Sequence, residues 1–261
     1  MKLSISNIAW EKEDDKEMYE YLSKSEFDAI EIAPTRIFEE NPYSHIKEAK
    51  DFAQKMKETY NLSISSMQSI WYGKKGNIFN IEEADSFIKY TKRAIDFASN
   101  IDCKNLVFGC PKNRVIPEDK KEEDILYFFK ILGDYAKEKR IVLAIEPNPT
   151  IYGTNFINYT GQAFEFVKKV NSKGIKVNVD FGTIIENKEE LNTVYDNINL
   201  VSHIHISEPN LEPIQKRGEH REFAENLKRL KYNKYVSIEM KNNSHVDRVK
   251  ETITYVREIF K

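Results

Sequence analysis

The stretch Leu143-Ala-Ile-Glu-Pro-Asn-Pro-Thr150 decides the fold, because a short run of apolar residues leads directly into a potential metal ligand, Glu146. Three later segments repeat this design: Lys176-Val-Asn-Val-Asp-Phe-Gly-Thr183, Val201-Ser-His-Ile-His-Ile-Ser-Glu208 and Tyr235-Val-Ser-Ile-Glu-Met-Lys241. Short apolar runs followed by turn residues are typical of buried parallel strands. Strands that each carry a carboxylate or imidazole at the C-terminal end are what a metal-centred (β/α)₈ barrel requires.

The rest of the chain alternates the same strand pattern with helical patterns. The apolar spacing predicts earlier strands at residues 3–9, 27–33, 62–67 and 105–109. It predicts helices at 14–23, 43–60, 81–99, 122–139, 161–170, 189–195, 219–230 and 246–260. Since no linker or composition shift interrupts this alternation, residues 1–261 are predicted to form a single α/β domain, a closed (β/α)₈ TIM barrel. The alternative, a doubly wound open sheet, would usually have a glycine-rich turn after strand one, and Asn7-Ile-Ala-Trp10 offers none.

Composition and charge exclude several classes of protein. The chain has 261 residues, of which 40% are hydrophobic and 12% aromatic, so it can bury a sizeable core. Its 40 Lys and Arg nearly balance 42 Asp and Glu, for a formal net charge of −2. This balance argues against nucleic acid as a partner, because nucleic-acid binding usually depends on a basic excess.

The sequence also predicts a cytoplasmic protein with no membrane partner. The apolar stretch at the N-terminus is too short for a signal peptide and runs into Glu11-Lys-Glu-Asp-Asp-Lys16 without a cleavage site. No apolar stretch approaches the eighteen or so residues of a membrane helix. Cys103 and Cys110 fit no close zinc or redox spacing, so both are expected to be reduced thiols.

Four residues at predicted strand ends are candidate ligands of one divalent metal ion: Glu146, Asp180, His205 and Glu239. Three carboxylates and one imidazole favour Mn²⁺, with Co²⁺, Mg²⁺ and Zn²⁺ as further candidates. Each residue alone could equally be an ordinary strand-end carboxylate or a hydrogen-bonded histidine. Their occurrence at the C-terminal ends of successive strands favours a metal site, because catalytic residues gather at that end of the barrel.

His203 lies two residues before His205 and therefore projects to the same side of its strand. It is a candidate for contact with substrate, for orienting a neighbouring ligand, or for a place in the barrel core. Of these three roles, we favour the one in which His203 orients a neighbouring ligand.

The same segments resemble a known family. Ile145-Glu-Pro-Asn148, Val179-Asp-Phe-Gly182, His203-Ile-His-Ile-Ser-Glu208 and Ser237-Ile-Glu239 are similar to motifs of the xylose isomerase-like TIM barrels. The closest branch looks like the sugar phosphate isomerase/epimerase group, which contains ketose 3-epimerases and hydroxypyruvate isomerase.

The resemblance implies an enzyme that isomerises or epimerises a small sugar, sugar phosphate or related hydroxy-carbonyl compound. It implies that Glu146 and Glu239 are the catalytic acid/base pair as well as ligands, with Asp180 and His205 as ligands only. The chemistry is reasonable without the family, since a metal that chelates the carbonyl and hydroxyl oxygens stabilises the enediolate formed when a carboxylate removes the α-proton.

Two positions depart from the ketose 3-epimerase pattern. Thr183 stands where those enzymes have a histidine, and Tyr152 where they have a substrate-binding glutamate. A dehydratase, or a barrel that binds a sugar or metabolite without turnover, is therefore an alternative. An apurinic-site endonuclease would need several more histidines for its trinuclear zinc site than the five present here. Homo-oligomerisation is left open.

Several further residues are candidates for binding substrate at the barrel mouth. Lys112, Arg114 and Arg217 are candidate anion-binding groups, with Glu208 as a partner of Arg217 or of substrate. Gln68, Trp71 and Tyr152 are candidates for contact with a sugar. The competing interpretations are solvated charged loops for the first group, core packing for the aromatic residues and a surface loop for Gln68.

Overall fold

Eight parallel strands form a closed barrel in the computed structural model, which describes residues 1–242 and 245–261. Each strand pairs in parallel with the next along the chain, and β8 closes the barrel on β1. The strands are β1 (Lys2–Ser6), β2 (Ala29–Ile32), β3 (Ser63–Met67), β4 (Asn105–Phe108), β5 (Val142–Ile145), β6 (Ile175–Asp180), β7 (Val201–Ile206) and β8 (Tyr235–Ile238). This confirms the predicted (β/α)₈ barrel and excludes the open sheet.

Helices alternate with the strands. Within the described residues the α-helices are α1 (Asp15–Lys24), α2 (Pro34–Ile37), α3 (Ile46–Tyr60), α4 (Ile81–Asn100), α5 (Leu126–Glu138), α6 (Thr160–Val170), α7 (Phe181–Asn187), α8 (Asn192–Asp196), α9 (Gly218–Arg229) and α10 (Val246–Phe260). Among these, none combines the length and apolar character needed to cross a membrane.

The segment after β6 differs from the sequence prediction. A helix was expected at residues 189–195, but α7 begins directly after Asp180, and α8 is a single short turn of helix at Asn192–Asp196. The reason is local, since the side chain of Asp180 caps α7 by accepting the backbone N–H of Thr183 at 2.6 Å. Phe181 then anchors the helix by packing on His220 and Phe223, with ring centroids 4.6 and 5.4 Å away.

The interior of the barrel is unusually polar. Ser4 on β1 hydrogen-bonds Ser65 on β3 at 2.6 Å, and Asn105 on β4 donates to Ser66 on β3 at 3.0 Å. All four side chains are buried. A barrel interior is ordinarily filled by branched apolar residues. Here hydrogen-bonded polar side chains occupy part of that space beneath the C-terminal end of the barrel.

An aromatic cluster packs outside the strands between α5 and its neighbours. Phe129 lies at its centre, fully buried, with ring centroids 5.1 Å from Phe108, 5.2 Å from Phe128 and 5.1 Å from Phe166. The pairs meet edge to face, which is the favoured arrangement of aromatic rings. This cluster holds α5 and α6 against β4.

Replacing Phe129 with alanine should lower the free energy of unfolding by about 3–5 kcal/mol, because it removes buried apolar surface and leaves a cavity. The matched control is Tyr127→Ala on the same helix, whose side chain is 75% exposed. That change should stay within about 0.5 kcal/mol of the parent protein. Chemical denaturation of both variants tests the assignment, and equal losses of stability at the two positions would contradict it.

Candidate active site

Four predicted ligands come together at the C-terminal end of the barrel. Glu146 follows β5, Asp180 ends β6, His205 lies in β7 and Glu239 follows β8. Each offers a ligand atom within 4.8 Å of the others, and all four residues are buried. The strand register accounts for this, because Asp180 and His205 are aligned Cα partners in neighbouring parallel strands.

His205 is the centre of the group. Its Nδ1 lies 3.0 Å from Glu146 Oε1 and 3.0 Å from Glu239 Oε2. Its Nε2 points to the opposite side, 3.0 Å from Oε1 of Glu31 on β2. The imidazole therefore separates the carboxylates of the mouth from one carboxylate inside the barrel. Sequence reasoning did not single out Glu31 as a functional residue, although an acidic residue within the apolar run Ala29–Ile32 was the available signal.

Hydrogen bonds from the protein fix the Asp180 carboxylate. Its Oδ1 accepts the hydroxyl of Thr183 at 2.8 Å as well as the Thr183 backbone N–H, and its Oδ2 accepts the hydroxyl of Ser207. Thr183, the position that departs from the ketose 3-epimerase pattern, therefore supports a candidate ligand.

Two asparagines fix the Glu146 carboxylate. Asn178 donates to Oε1 at 2.7 Å and Asn148 donates to Oε2 at 3.1 Å. Gly109 leaves the necessary space, since a Cβ at that position would lie 2.6 Å from Oε2 of Glu146. Any side chain at residue 109 would displace the glutamate.

The electrostatics of the group favour a bound cation. Burial, followed by repulsion from Glu146, raises the pKa of Asp180 to about 6. Burial raises the pKa of Glu239 to about 7, against the opposing effect of His205 and with repulsion from Glu146 and Asp180. Buried carboxylates that crowd together hold protons unless a cation compensates them. The oxygen-rich donor set fits a divalent ion, held by Glu146, Asp180, His205 and Glu239.

A cavity of about 200 Å³ opens above this group. Glu146, Asp180 and Glu239 form part of its wall, together with the predicted residues Gln68 and Tyr152. The remainder of the wall includes apolar side chains, and none of the described residues that line it is Lys or Arg. Two larger surface grooves, of about 530 and 630 Å³, contain none of the candidate ligands and lie away from this chemistry.

The predicted cationic residues do not line the cavity. Lys112 is exposed, whereas Arg114 is fully buried behind the wall. Nη2 of Arg114 donates to the carbonyl of Glu146 at 2.9 Å and to Asn148 Oδ1 at 2.8 Å. Arg114 therefore braces the loop that carries Glu146.

Glu208 and Arg217 form a bidentate ion pair. Nε of Arg217 lies 2.8 Å from Oε1 of Glu208, and Nη2 lies 2.5 Å from Oε2. Glu208 is only 2% exposed, so both of its oxygens are occupied within the protein. Glu208 was a candidate partner of Arg217 or of substrate, and in the structure it pairs with Arg217.

Two further candidates lie away from the cavity. Trp71 packs in the aromatic core, 4.4 Å from Phe87 between ring centroids, and its Nε1 donates to Thr91 at 2.9 Å. Trp71 therefore fits the competing interpretation, which was core packing. The loop after β3 folds back over α4 and places the ring there. His203 is buried inside the barrel, 2.8 Å from Glu31 Oε2, so it meets a neighbour of a ligand and does not reach the cavity.

Comparison with known proteins identifies the family. The model of the xylose isomerase-like TIM barrel matches residues 19–259. No curated protein gives a significant match to the chain.

Solved structures share the fold over essentially the whole chain. The 3-keto-D-glucoside 4-epimerase of E. coli superposes with a TM-score of 0.79 at 18% identity, with 99% of each chain covered. D-psicose 3-epimerase from Clostridium cellulolyticum H10 gives 0.78 at 16% identity over 100% of each chain. A family 2 AP endonuclease from Brucella melitensis gives 0.72 at 18% identity, covering 93% of this chain and 94% of its own. Identities this low establish the fold and leave the reaction to the site.

The contribution of Asp180 and Glu239 to the stability of the metal-free protein should fall as the pH rises from about 5 to 8. The pKa values of Asp180 and Glu239 are raised in the folded state, to about 6 and about 7, so the folded protein binds more protons than the unfolded chain across this window. Their contribution is present at low pH and lost as the pH rises through the folded values, by about 4 kcal/mol together. Thermal melts of chelator-treated protein at successive pH values measure it.

Glu239→Gln is the control for this prediction, because an amide does not titrate and the pH-dependent loss should shrink. Mn²⁺ should raise the melting temperature most at pH 8, where protons compete least for the carboxylates. A pH dependence of stability that Glu239→Gln leaves unchanged in the metal-free protein would contradict the assignment.

Proposed function

Because the chain belongs to the xylose isomerase-like TIM barrel family, we propose that it is a divalent-metal-dependent isomerase or epimerase of a small sugar or related hydroxy-carbonyl compound. The observation that carries this proposal is the convergence of Glu146, Asp180, His205 and Glu239 beneath one cavity at the C-terminal end of the barrel. The epimerases among the structural neighbours support the same class of reaction.

In this proposal Glu146 and Glu239 move the proton. Both carboxylates line the cavity, and both lie 3.0 Å from the same imidazole nitrogen, so a substrate carbon above them is within reach of each. One carboxylate takes the proton from the carbon next to the carbonyl, and the other returns a proton to the same or the neighbouring carbon. The bound ion would supply Lewis-acid stabilisation of the negative charge that develops on the carbonyl oxygen. Asp180, held by Thr183 and Ser207, is a ligand only.

The charge of the cavity favours an uncharged substrate. Three carboxylates outweigh the two charges of one divalent ion, and the described wall contributes no Lys or Arg. A phosphate group would therefore enter a site of like charge without a guanidinium or ammonium partner. Gln68 and Tyr152 supply polar groups for hydroxyls, and the apolar wall suits the C–H surface of a sugar.

Other reactions in this fold have less support. A trinuclear endonuclease site would need further histidines. His45 is half-buried before α3, His245 is exposed, and His220 of α9 packs on Phe181 of α7. A dehydratase would begin with the same proton abstraction, and a binding protein would keep the same cavity without turnover. The exchange experiment below separates the last of these from an enzyme.

Exchange of the substrate's α-hydrogen with solvent should require both glutamates. Glu146→Gln and Glu239→Gln keep the size of the side chain but remove the base, so exchange should fall by about 10²–10⁴-fold. The Mn²⁺-loaded protein is incubated in D₂O with ketoses, their phosphates and hydroxypyruvate, and the C–H signals are followed by NMR. Uncharged compounds are expected to be the ones that exchange.

Glu186→Gln is the matched control, because it makes the same chemical change at an exposed position of α7. Metal content must be measured on every sample, since both test residues are also proposed ligands. Exchange that survives both substitutions would assign the proton transfer to other residues. Absence of exchange by the parent protein across the panel would favour a binding protein.

A further inference from the structure

Glu31 is a carboxylate buried completely inside the barrel, on β2. Its Oε2 lies 2.8 Å from Nε2 of His203, and its Oε1 lies 3.0 Å from Nε2 of His205. In the described part of the chain these two imidazoles are its ion-pair partners, and no Lys or Arg reaches it. Burial would raise the pKa of Glu31, but the attraction and hydrogen bonds of His205 and His203 hold it well below its usual range. Two imidazoles of one strand therefore meet a single carboxylate inside the barrel.

We propose that Glu31 is a positioning residue that selects the tautomer of His205, an inference that rests on the metal site proposed above. A neutral imidazole has one N–H donor and one acceptor nitrogen. When Nε2–H donates to Glu31, Nδ1 carries the free lone pair and faces Glu146 and Glu239. The ring is thus oriented to ligate through Nδ1 without rotation.

His203 has a part in the same arrangement. Its ring stands at 86° to that of His205, with centroids 5.3 Å apart, and both Nε2 atoms meet the one carboxylate. His205 Nε2 hydrogen-bonds Oε2 of Glu31 at 3.2 Å, and His203 confines the same carboxylate from a second direction by close contact. This explains why a second histidine lies two residues before the candidate ligand and yet does not reach the cavity.

A second metal ion on Glu31, His203 and His205 is the rival explanation, because these three residues also offer ligand atoms within 4.8 Å of one another. Binding there would require the Nε2 of His205 to lose its proton while Nδ1 serves the first ion. These three residues offer one carboxylate and none of them lines the cavity, whereas the other cluster offers three carboxylates that do. If the proposal is right, each chain binds one metal ion. If the rival explanation is right, each chain binds two.

Glu31→Gln tests the role through metal binding. The amide offers one acceptor oxygen to two imidazole donors, and its N–H₂ favours the opposite tautomer of His205. Affinity for Co²⁺, measured by competition with a chelating indicator, should fall by about 10–100-fold, the usual effect of losing the hydrogen-bond partner of a ligand. The visible absorption of bound Co²⁺ should change as well, because the ring no longer has one fixed orientation.

Glu189→Gln is the matched control. Its carboxylate also accepts hydrogen bonds, from the Thr160 N–H at 3.0 Å and from Asn187 at 2.9 Å, and it touches none of the candidate ligands. Its affinity for Co²⁺ should stay within about twofold of the parent protein. A purely structural role for Glu31 would instead lower the melting temperature of the metal-free variant and leave its Co²⁺ affinity and spectrum unchanged, which would overturn the proposal.

Nitrogen-15 NMR of the Zn²⁺-loaded parent protein gives a second readout. It should show His205 protonated at Nε2 and unprotonated at Nδ1, and the reverse tautomer would overturn the proposal. If Glu31→Gln does not fold, His203→Leu carries the test, because it removes one of the two imidazoles that contact Glu31. It should weaken Co²⁺ binding by up to about tenfold, and an unchanged affinity would count against the role.

The outcomes separate this inference from the proposed function. If Glu31→Gln binds Co²⁺ as tightly as the parent protein, the role of Glu31 is overturned and the metal site stands. Two ions bound per chain would replace the positioning role with a second site. A parent protein that binds no divalent ion would overturn both.

Discussion

His205 lies between two glutamates at the mouth of the barrel and one glutamate inside it. The architecture around His205 follows from the need to keep these carboxylates charged and in place. Glu146 and Glu239 approach Nδ1 from the mouth, and Glu31 approaches Nε2 from inside the barrel. Buried carboxylates at such distances are unfavourable unless cations or hydrogen-bond donors compensate them. Parallel strands whose C-terminal ends meet at one mouth supply the geometry. Polar side chains inside the barrel supply the donors.

The loops around the mouth are braced by the charged residues that the sequence offers for substrate binding. Arg114 holds the backbone of Glu146, and the Glu208–Arg217 pair satisfies both of its members within the protein. Side chains held in this way keep a site preorganised, because they need not be reoriented when substrate arrives. The charge of the cavity is consequently set by carboxylates and a bound ion, which is the basis for expecting an uncharged substrate.

The sequence predicts the barrel and the convergence of its candidate ligands well, because both depend on local patterns. An apolar run that ends in Glu146 or Asp180 places a carboxylate at the mouth once the strands are parallel. Positions set by loop conformation and packing are harder to predict. Trp71 follows a strand, as a mouth residue would, but its loop folds into the core, and Asp180 starts a helix earlier than the apolar spacing indicates. Glu31 stands out in the sequence as an acidic residue within an apolar strand. Its partners, His203 and His205, lie 172 and 174 residues away in sequence.

We propose that four side chains from successive strands hold one divalent ion. Anomalous X-ray scattering from crystals grown with Mn²⁺ tests it most directly, because the signal locates the ion independently of any assumption about its ligands. We expect one strong peak per chain, roughly 2.0–2.4 Å from an oxygen of Glu146, Asp180 and Glu239 and from Nδ1 of His205. A peak on the other side of the His205 ring, beside Glu31 and His203, or no peak within the barrel at all, would contradict it.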